Sequence, residues 1–388
     1  MLSIKDKIVI DKYPSLQKES DIWATKIKIA ARFSEFSKSN DEVPLKRRYL
    51  VLVNPASGKG LAAKIAQEQL LPIMAEAEIE HELVTTTHQG HAEEIAKGLK
   101  IGEYTGIAVV SGDGLFHEVV NGIMKREDAE QAAKQICLVP IPGGSGNALA
   151  ASIVYTVLGI HNDPNLLQNM LIIFANGSPT PGTILRWQIE SEKETTEERF
   201  SFLCGMWGIA ADIDFESEKY RSSLGSKRFI AMALQRIVNL RKYDGSLKYM
   251  EENTGGVKLI EGPITGVIFT TGTHFNYDSA TRTNRALQEF DDKGQPLMTL
   301  LVLKSTSKAT ITKFLLGLSD LKTVANLEKE IPEVQRIKTG FLKMIPKASE
   351  KEVYLDIDGE RSPYVPTSVS VHPHSISLIG SLPQNTIF

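Results

Sequence analysis

Hydrophobic and polar positions change rhythm near residue 180. Before that point, short continuous apolar runs at 49–53, 107–110 and 136–141, with a mixed run at 81–85, are each followed by residues at helical spacing, such as Leu61, Ile65, Leu70 and Leu71 after the first. Apolar runs of this length fit strands covered on both faces, and their alternation with helices predicts a mostly parallel sheet. After Gly177 the chain runs through SPTPG into segments with strand patterning: TILRWQIE, RFSFLCGMWGIAADIDF, GVIFTTGTHF, PLMTLLVLK, EVYLDIDGE and SVSVHPHSISLIG. They predict an antiparallel β domain, a sandwich, over 181–388, with its last strand returning to the first domain, and the boundary in 178–182, after an α/β domain over 46–180. Residues 1–45 fit two descriptions: KIVI and KIKIA alternate as strands do, whereas Ile22, Ile29, Phe33 and Phe36 share one face of a helix. The run SKSNDEVP reads as a linker into the first domain.

Within the second domain, 227–242 stands out as a helix. Phe229, Ile230, Ala233, Leu234, Ile237 and Leu240 recur at helical spacing, flanked by Arg228, Arg236, Arg241 and Lys242. Such a helix covers the sheet, closes over a lipid site, or offers a basic amphipathic face to calmodulin or a membrane. A second stretch, 311–321, places Phe314, Leu315 and Leu318 on one side and suits the same cavity.

The turns after the first-domain strands are NPASGKG, TTTHQGHA, GDG and PGGSGNA. In a parallel sheet these turns gather along one edge. Glycines leave the backbone bare to a ligand, and each following helix points free N–H groups at the same place, an arrangement that suits the phosphates of a nucleotide. NPASGKG is not a P-loop, because no Ser or Thr follows the lysine, and no turn has the GxGxxG dinucleotide pattern, which argues against a nicotinamide enzyme. Asp113, between Gly112 and Gly114, is a carboxylate beside a phosphate site; it caps a helix, takes a proton from a nucleophile, or helps hold a metal.

Two acidic series follow. Asp212, Asp214 and Glu216 alternate, and in an extended segment all three face one way, as a solvated strand end or a pocket that receives an amine; the same acids also suit a helix N-terminus. Asp356, Asp358 and Glu360 alternate in YLDIDGER, as a hairpin turn, a ribose contact or carboxylates meeting Mg²⁺ through water. Arg221 and Arg228 are candidates for phosphate. With 44 basic against 47 acidic residues, nothing marks a nucleic-acid binder. Two cysteines, Cys137 and Cys204, and an N-terminus lacking an apolar signal core lead us to expect a cytoplasmic protein with reduced thiols. No apolar run is long enough for a membrane span, so membrane contact is expected to be peripheral and reversible. The eight histidines show no metal-ligand spacing.

Taken together, VLVNPASGKG, SGDGLFHEVVNG, PGGSGNALAAS, WGIAADIDFESEKYR and DIDGE resemble the sphingosine kinase family, within the wider diacylglycerol kinase catalytic family; the motifs run in family order from Tyr49 to Glu360. The resemblance implies transfer of the γ-phosphate of Mg-ATP to the primary hydroxyl of sphingosine, in a cleft between an α/β domain and a β-sandwich. It implies Asp113 as general base, with Ser111, Gly112 and Gly114 where substrate hydroxyl and phosphate meet. Around ATP it implies Asn54, Pro55 and Ala56, then Thr86, Thr87, His88, Gln89 and Gly90, then Glu118, then Gly144, Ser145 and Gly146. Arg221 and Arg228 match phosphate-binding arginines, and Asp358, Gly359 and Glu360 a further nucleotide contact, with Asp358 near Mg²⁺ through water. Asp214 matches the carboxylate that recognises the sphingoid amine and hydroxyl. The sequence departs from the animal pattern at His88 and Gln89, where arginines are common, and by one extra serine in YRSSLGSKR.

Overall fold

The computed structural model describes residues 47–382 except 191–195, 225–227, 242, 253, 277–278, 282–284, 286, 305–306 and 348–352, and omits the side chains of Lys59, Arg221 and Ser222. The two descriptions of 1–45 therefore lie outside the described residues.

The apolar runs of the first half become β1 (Arg48–Val53), β2 (Glu80–Thr85), β3 (Gly106–Ser111) and β4 (Cys137–Pro142), with β3 and β4 buried along their whole length. They pair in parallel in the order β2-β1-β3-β4. Between them run α1 (His91–Gly98), α2 (Asp113–Met124) and, after β4, α3 (Ala148–Leu158). The carboxyl ends of four strands thus lie side by side, as parallel pairing requires.

The end of the chain completes this sheet. The strand Ile376–Ser381 runs parallel to β4, placing Ser377 beside Cys137, and β5 (Ser178–Gly182) closes the edge antiparallel to it. SPTPG, expected as the boundary between the domains, is therefore an edge strand of the first sheet. Its two prolines are tolerated there because an edge strand leaves half its N–H groups without a ladder partner.

Most of the remaining described residues form two antiparallel sheets, beside a short two-stranded ribbon of His274–Asn276 and Ser279–Ala280. One contains β6 (Leu185–Glu190) and β7 (Thr196–Ser201) with Gly245–Met250, Phe341–Pro346 and Thr367–Val371; the other contains β8 (Cys204–Gly208) with Gly266–Thr270, Pro296–Leu303 and Leu355–Ile357. Alternation sends Trp187, Leu247, Leu342 and Val369 from the first sheet and Trp207, Val267, Phe269 and Leu300 from the second into one dry layer. Trp187 packs 5.3 Å from Phe269, and its indole N–H donates to Ser201 Oγ at 2.7 Å. Cys137 and Cys204 are buried and unbridged.

Two predicted elements differ from what formed. β8 stops at Gly208, and α4 (Ile209–Ser217) takes the place of a continued strand. Ala210 and Ala211 are strong helix formers and Asp212 in the first turn complements the helix dipole, local preferences that the apolar rhythm conceals. The predicted 227–242 helix is shorter, α5 (Arg228–Val238), and packs on α4.

Candidate active site

Three of the turns meet. A Cβ on Gly144 would stand 2.4 Å from Gly112 Cα, and one on Gly58 would stand 2.2 Å from the Gly143 carbonyl oxygen. Backbone lies against backbone from the β1 turn through the β4 turn to the β3 turn, which only glycine permits. The contacts are reinforced locally: Asn54 Oδ1 accepts from Ala56 N–H at 2.9 Å, Gly143 N–H donates to the Ser111 carbonyl at 2.9 Å, and Asn147 exchanges two bonds with Gly144. Ser145 is exposed and Gly146 half-buried on this floor. Gly144→Ala is expected to cost about 1–3 kcal/mol by forcing the two turns apart, measurable by denaturant unfolding, with nucleotide affinity falling in parallel.

Asp113 begins α2 but caps another helix. Its two oxygens accept from Ala148 N–H at 2.8 Å and Leu149 N–H at 3.2 Å, the first turn of α3. Capping and catalysis, alternatives in the sequence, are thus both open to this residue: two main-chain donors fix the carboxylate, and each oxygen keeps a further lone pair. Burial outweighs these donors and raises its pKa to about 6, with Asp358 adding to the rise.

The second lobe reaches α2 through a hairpin. Leu355–Ile357 and Glu360–Ser362 are joined by Asp358 (φ 55°) and Gly359 (φ 87°), the left-handed pair of a tight two-residue turn. Asp358 is buried and its carboxylate is filled: Oδ1 accepts from Leu203 and Cys204 N–H at 3.1 and 2.9 Å, and Oδ2 from Phe202 N–H at 3.1 Å and His117 Nδ1 at 3.0 Å. With Nδ1 donating, His117 Nε2 accepts from Asn121 Nδ2 at 3.1 Å, and the same amide donates to the Phe200 carbonyl at 2.8 Å. These bonds hold α2 to the second lobe. From the sequence His117 is expected as no more than a helix residue near the turn, and Asn121 carries no assignment; only their four-residue spacing on the GDG helix hints at a shared face. Glu360, the next acid, does face the floor, since a Cβ on Gly114 would lie 3.7 Å from its Oε1. Burial first, then Glu118 and Asp358, raise its pKa.

The helical course of 209–217 splits its acids. Asp212 and Glu216, a turn apart, face the arginines of the α5 region: Arg241 lies 2.7 Å from Asp212 and 3.0 Å from Glu216, Arg236 bonds to Glu216, and the Tyr243 hydroxyl donates to Asp212 at 2.6 Å. The expectation that all three acids face one way fails because a helix, unlike a strand, does not place alternate residues together. Asp214 is left toward the hairpin, with its Oδ2 4.0 Å from where a Gly359 Cβ would stand. Burial and then the charges of Asp356, Asp358, Asp214 and Asp113 push the Cys204 thiol well up.

The remaining predicted residues divide. Thr86 is buried, its N–H bonded to the Val53 carbonyl at 2.9 Å, so the turn of Thr87, His88, Gln89 and Gly90 adjoins the Asn54 turn. Thr87 N–H donates to His91 Nδ1 at 3.2 Å, and His88 stacks on His91. Glu118 is engaged as a cap, accepting from Ala92 N–H at 3.1 Å. Arg228 is buried, paired to Glu218 at 2.6 Å and laid over the Phe229 ring. Arg221 opens the short helix Arg221–Leu224. Among the described residues, no group of three or more His, Cys, Asp or Glu has a metal-holding arrangement.

Comparison with known proteins agrees with this geometry. Residues 48–181 match the diacylglycerol kinase catalytic domain. The chain is also similar to sphingosine kinases: it is 41% identical over 220 residues to sphingosine kinase 1 of Rattus norvegicus, covering 56% of this chain and 55% of that protein. With sphingosine kinase 1 of Homo sapiens the identity is 39% over 224 residues, covering 57% and 56%. The chain thus spans about half the length of the curated relatives it matches. In fold it is similar to a diacylglycerol kinase structure from Bacillus anthracis, with a TM-score of 0.58 at 16% identity, covering 89% of this chain and all of that one.

Proposed function

We propose that this chain is an ATP-dependent sphingoid-base kinase that phosphorylates the primary hydroxyl of sphingosine. The observation that supports the reading is the hairpin at Asp358 and Gly359: a Cβ on its Gly359 would lie 4.0 Å from Asp214 Oδ2, while its Glu360 lies 3.7 Å from where a Gly114 Cβ would stand, next to Asp113 and the bare main-chain floor. A carboxylate such as Asp214 at that place favours a cationic acceptor over a neutral diacylglycerol. It also agrees with what the similar proteins are named for.

In the proposed reaction the phosphates of ATP lie on the glycine floor. The lipid hydroxyl oxygen attacks the γ-phosphorus as the bond to ADP breaks, and Asp113 accepts the hydroxyl proton. Asp214 holds the ammonium. Mg²⁺, entering with the nucleotide, neutralises phosphate charge; Glu360, rather than Asp358, is the acid left to meet its waters. Incubation of the purified chain with ATP, Mg²⁺ and sphingosine should yield sphingosine 1-phosphate by mass spectrometry, and no product under conditions where the chain binds ATP would refute the reading.

The base assignment fixes a pH dependence. With its pKa raised to about 6, Asp113 is competent above that value and protonated below it. The ionised fraction rises from about one tenth at pH 5 to about nine tenths at pH 7. The value of kcat/KM should therefore climb about tenfold over that interval and then level; a flat profile would contradict it.

Among the described residues, no helix is long and apolar enough to cross a membrane. Contact with a membrane surface is supported by α5, where Ile230, Leu234 and Val238 recur every four residues and are 61%, 59% and 66% exposed. Leu316, 64% exposed, extends the patch from Lys308–Gly317, whose Lys308 Nζ donates to the Val238 carbonyl at 2.8 Å. A membrane is favoured over calmodulin because Arg228 and Arg236 of this helix, with the neighbouring Arg241, are engaged by acids of the chain itself. Reversible recruitment to membranes follows from an apolar patch of this size.

A further inference from the structure

The polar chain between the lobes has a direction, and its direction fixes the state of His117. Asn121 meets β7 as a neighbouring strand would: its Oδ1 accepts from Phe200 N–H at 3.1 Å and its Nδ2 donates to the Phe200 carbonyl at 2.8 Å. The main chain thus decides which end of the amide is nitrogen, and that nitrogen faces His117 Nε2 at 3.1 Å. Nε2 must therefore offer a lone pair, and the ring proton sits on Nδ1, 3.0 Å from Asp358 Oδ2. Both ring nitrogens are occupied within one buried chain, from Phe200 through Asn121, His117 and Asp358 to the N–H groups of residues 202–204. His117 keeps no free nitrogen with which to act as a base. Beside the chain, the Phe116 ring packs 4.8 Å from that of Phe202.

What this chain holds is a turn where three elements meet. Asp358 takes the bond from His117, Gly359 faces Asp214 of α4, and Glu360 faces Gly114 beside Asp113. His117 itself lies one turn after Asp113 on α2. We propose that His117 is a positioning residue: by tying α2 to this turn it sets the separation between Asp113 on the first lobe and Asp214 on the second, so that proton acceptance and head-group binding stay in register. The proposal rests on the sphingoid-base reading for its reaction but not for the tie itself. The glycine floor is built from turns of the first lobe alone, so cutting the tie should spare ATP binding and harm only the step that needs both lobes. If His117 merely supported the fold, its loss would lower every property alike.

Phenylalanine fills the space of the imidazole without donor or acceptor, whereas asparagine sets an amide N–H where Nδ1 stands and keeps the bond to Asp358. For His117→Phe, kcat with sphingosine should fall about ten- to a hundredfold, the effect of misplacing reacting groups by about 1 Å, while Kd for ATP changes less than about twofold; His117→Asn should recover most of the loss. Equal impairment of the two variants, loss of ATP binding in step with kcat, or an unimpaired phenylalanine variant would overturn the proposal. Two measurements need no turnover. Nitrogen NMR of the histidine-labelled chain should give His117 as the Nδ1–H tautomer, assigned by its absence from His117→Asn, which decides the matter should the phenylalanine variant not fold. Spin labels on Lys97→Cys and Lys248→Cys, exposed positions on the two lobes, should show one narrow distance that broadens in His117→Phe and narrows again in His117→Asn; Cys137 and Cys204 are buried, so the labels go to the new thiols. Another tautomer, or an unchanged label distance, in a chain that phosphorylates sphingosine sinks the tie and leaves the kinase reading standing. The expected tautomer and broadening in a chain inactive on every sphingoid base establish the tie and sink the kinase reading instead.

Discussion

Asp113→Asn is expected to lower kcat by about a thousandfold or more, within the range removed with a general base, while ATP affinity changes little. The expectation follows from geometry. The carboxylate is held by Ala148 and Leu149 N–H between two glycine turns, and its raised pKa places the proton exchange near neutrality. Asparagine keeps one acceptor for the α3 cap, so the fold should survive, and titration of nucleotide binding verifies this. Substantial turnover by a variant that binds ATP normally would remove Asp113 from the role of base.

The second large effect concerns Asp214. Replacing it by asparagine leaves the substrate's ammonium without its counter-charge, and truncating one partner of a desolvated charge pair costs about 2–5 kcal/mol. We expect kcat/KM for sphingosine to fall about a hundredfold or more, with turnover of an uncharged lipid alcohol little altered. Equal losses on both substrates would show that Asp214 supports the fold and does not select the amine. The two variants probe different lobes: Asp113 opens α2 beneath the parallel sheet, whereas Asp214 rides on α4 behind β8 of the sandwich.

The parallel sheet was legible because its strands are buried on both faces, and such strands write themselves as unbroken apolar runs, as in 107–110. The glycine floor was legible for a related reason: a close backbone approach such as Gly144 on Gly112 tolerates one residue type, and that residue shows in the sequence. The acids were harder to read. Alternation in 212–216 looks the same in a strand and in a short helix, and only the arginines of the α5 region, some 20 residues on, reveal that Asp212 and Glu216 are engaged there. The structural part of Asp358 was not legible because its partners are main-chain N–H groups of residues 202–204, over 150 residues away, which no motif records. The link of His117 and Asn121 to the second lobe was hidden for the same reason: side chains joining two lobes depend on how the lobes meet, and that is settled by the whole fold.

The central proposal, that Asp214 selects an amine-bearing lipid alcohol for phosphorylation beside the glycine floor, is tested most directly by competition. The purified chain is given γ-labelled ATP with equal amounts of sphingosine, ceramide and diacylglycerol in one mixed micelle, and the labelled lipids are separated. The account predicts label overwhelmingly in sphingosine 1-phosphate, falling toward background in Asp113→Asn; label in phosphatidic acid or ceramide 1-phosphate, with sphingosine untouched, would contradict it.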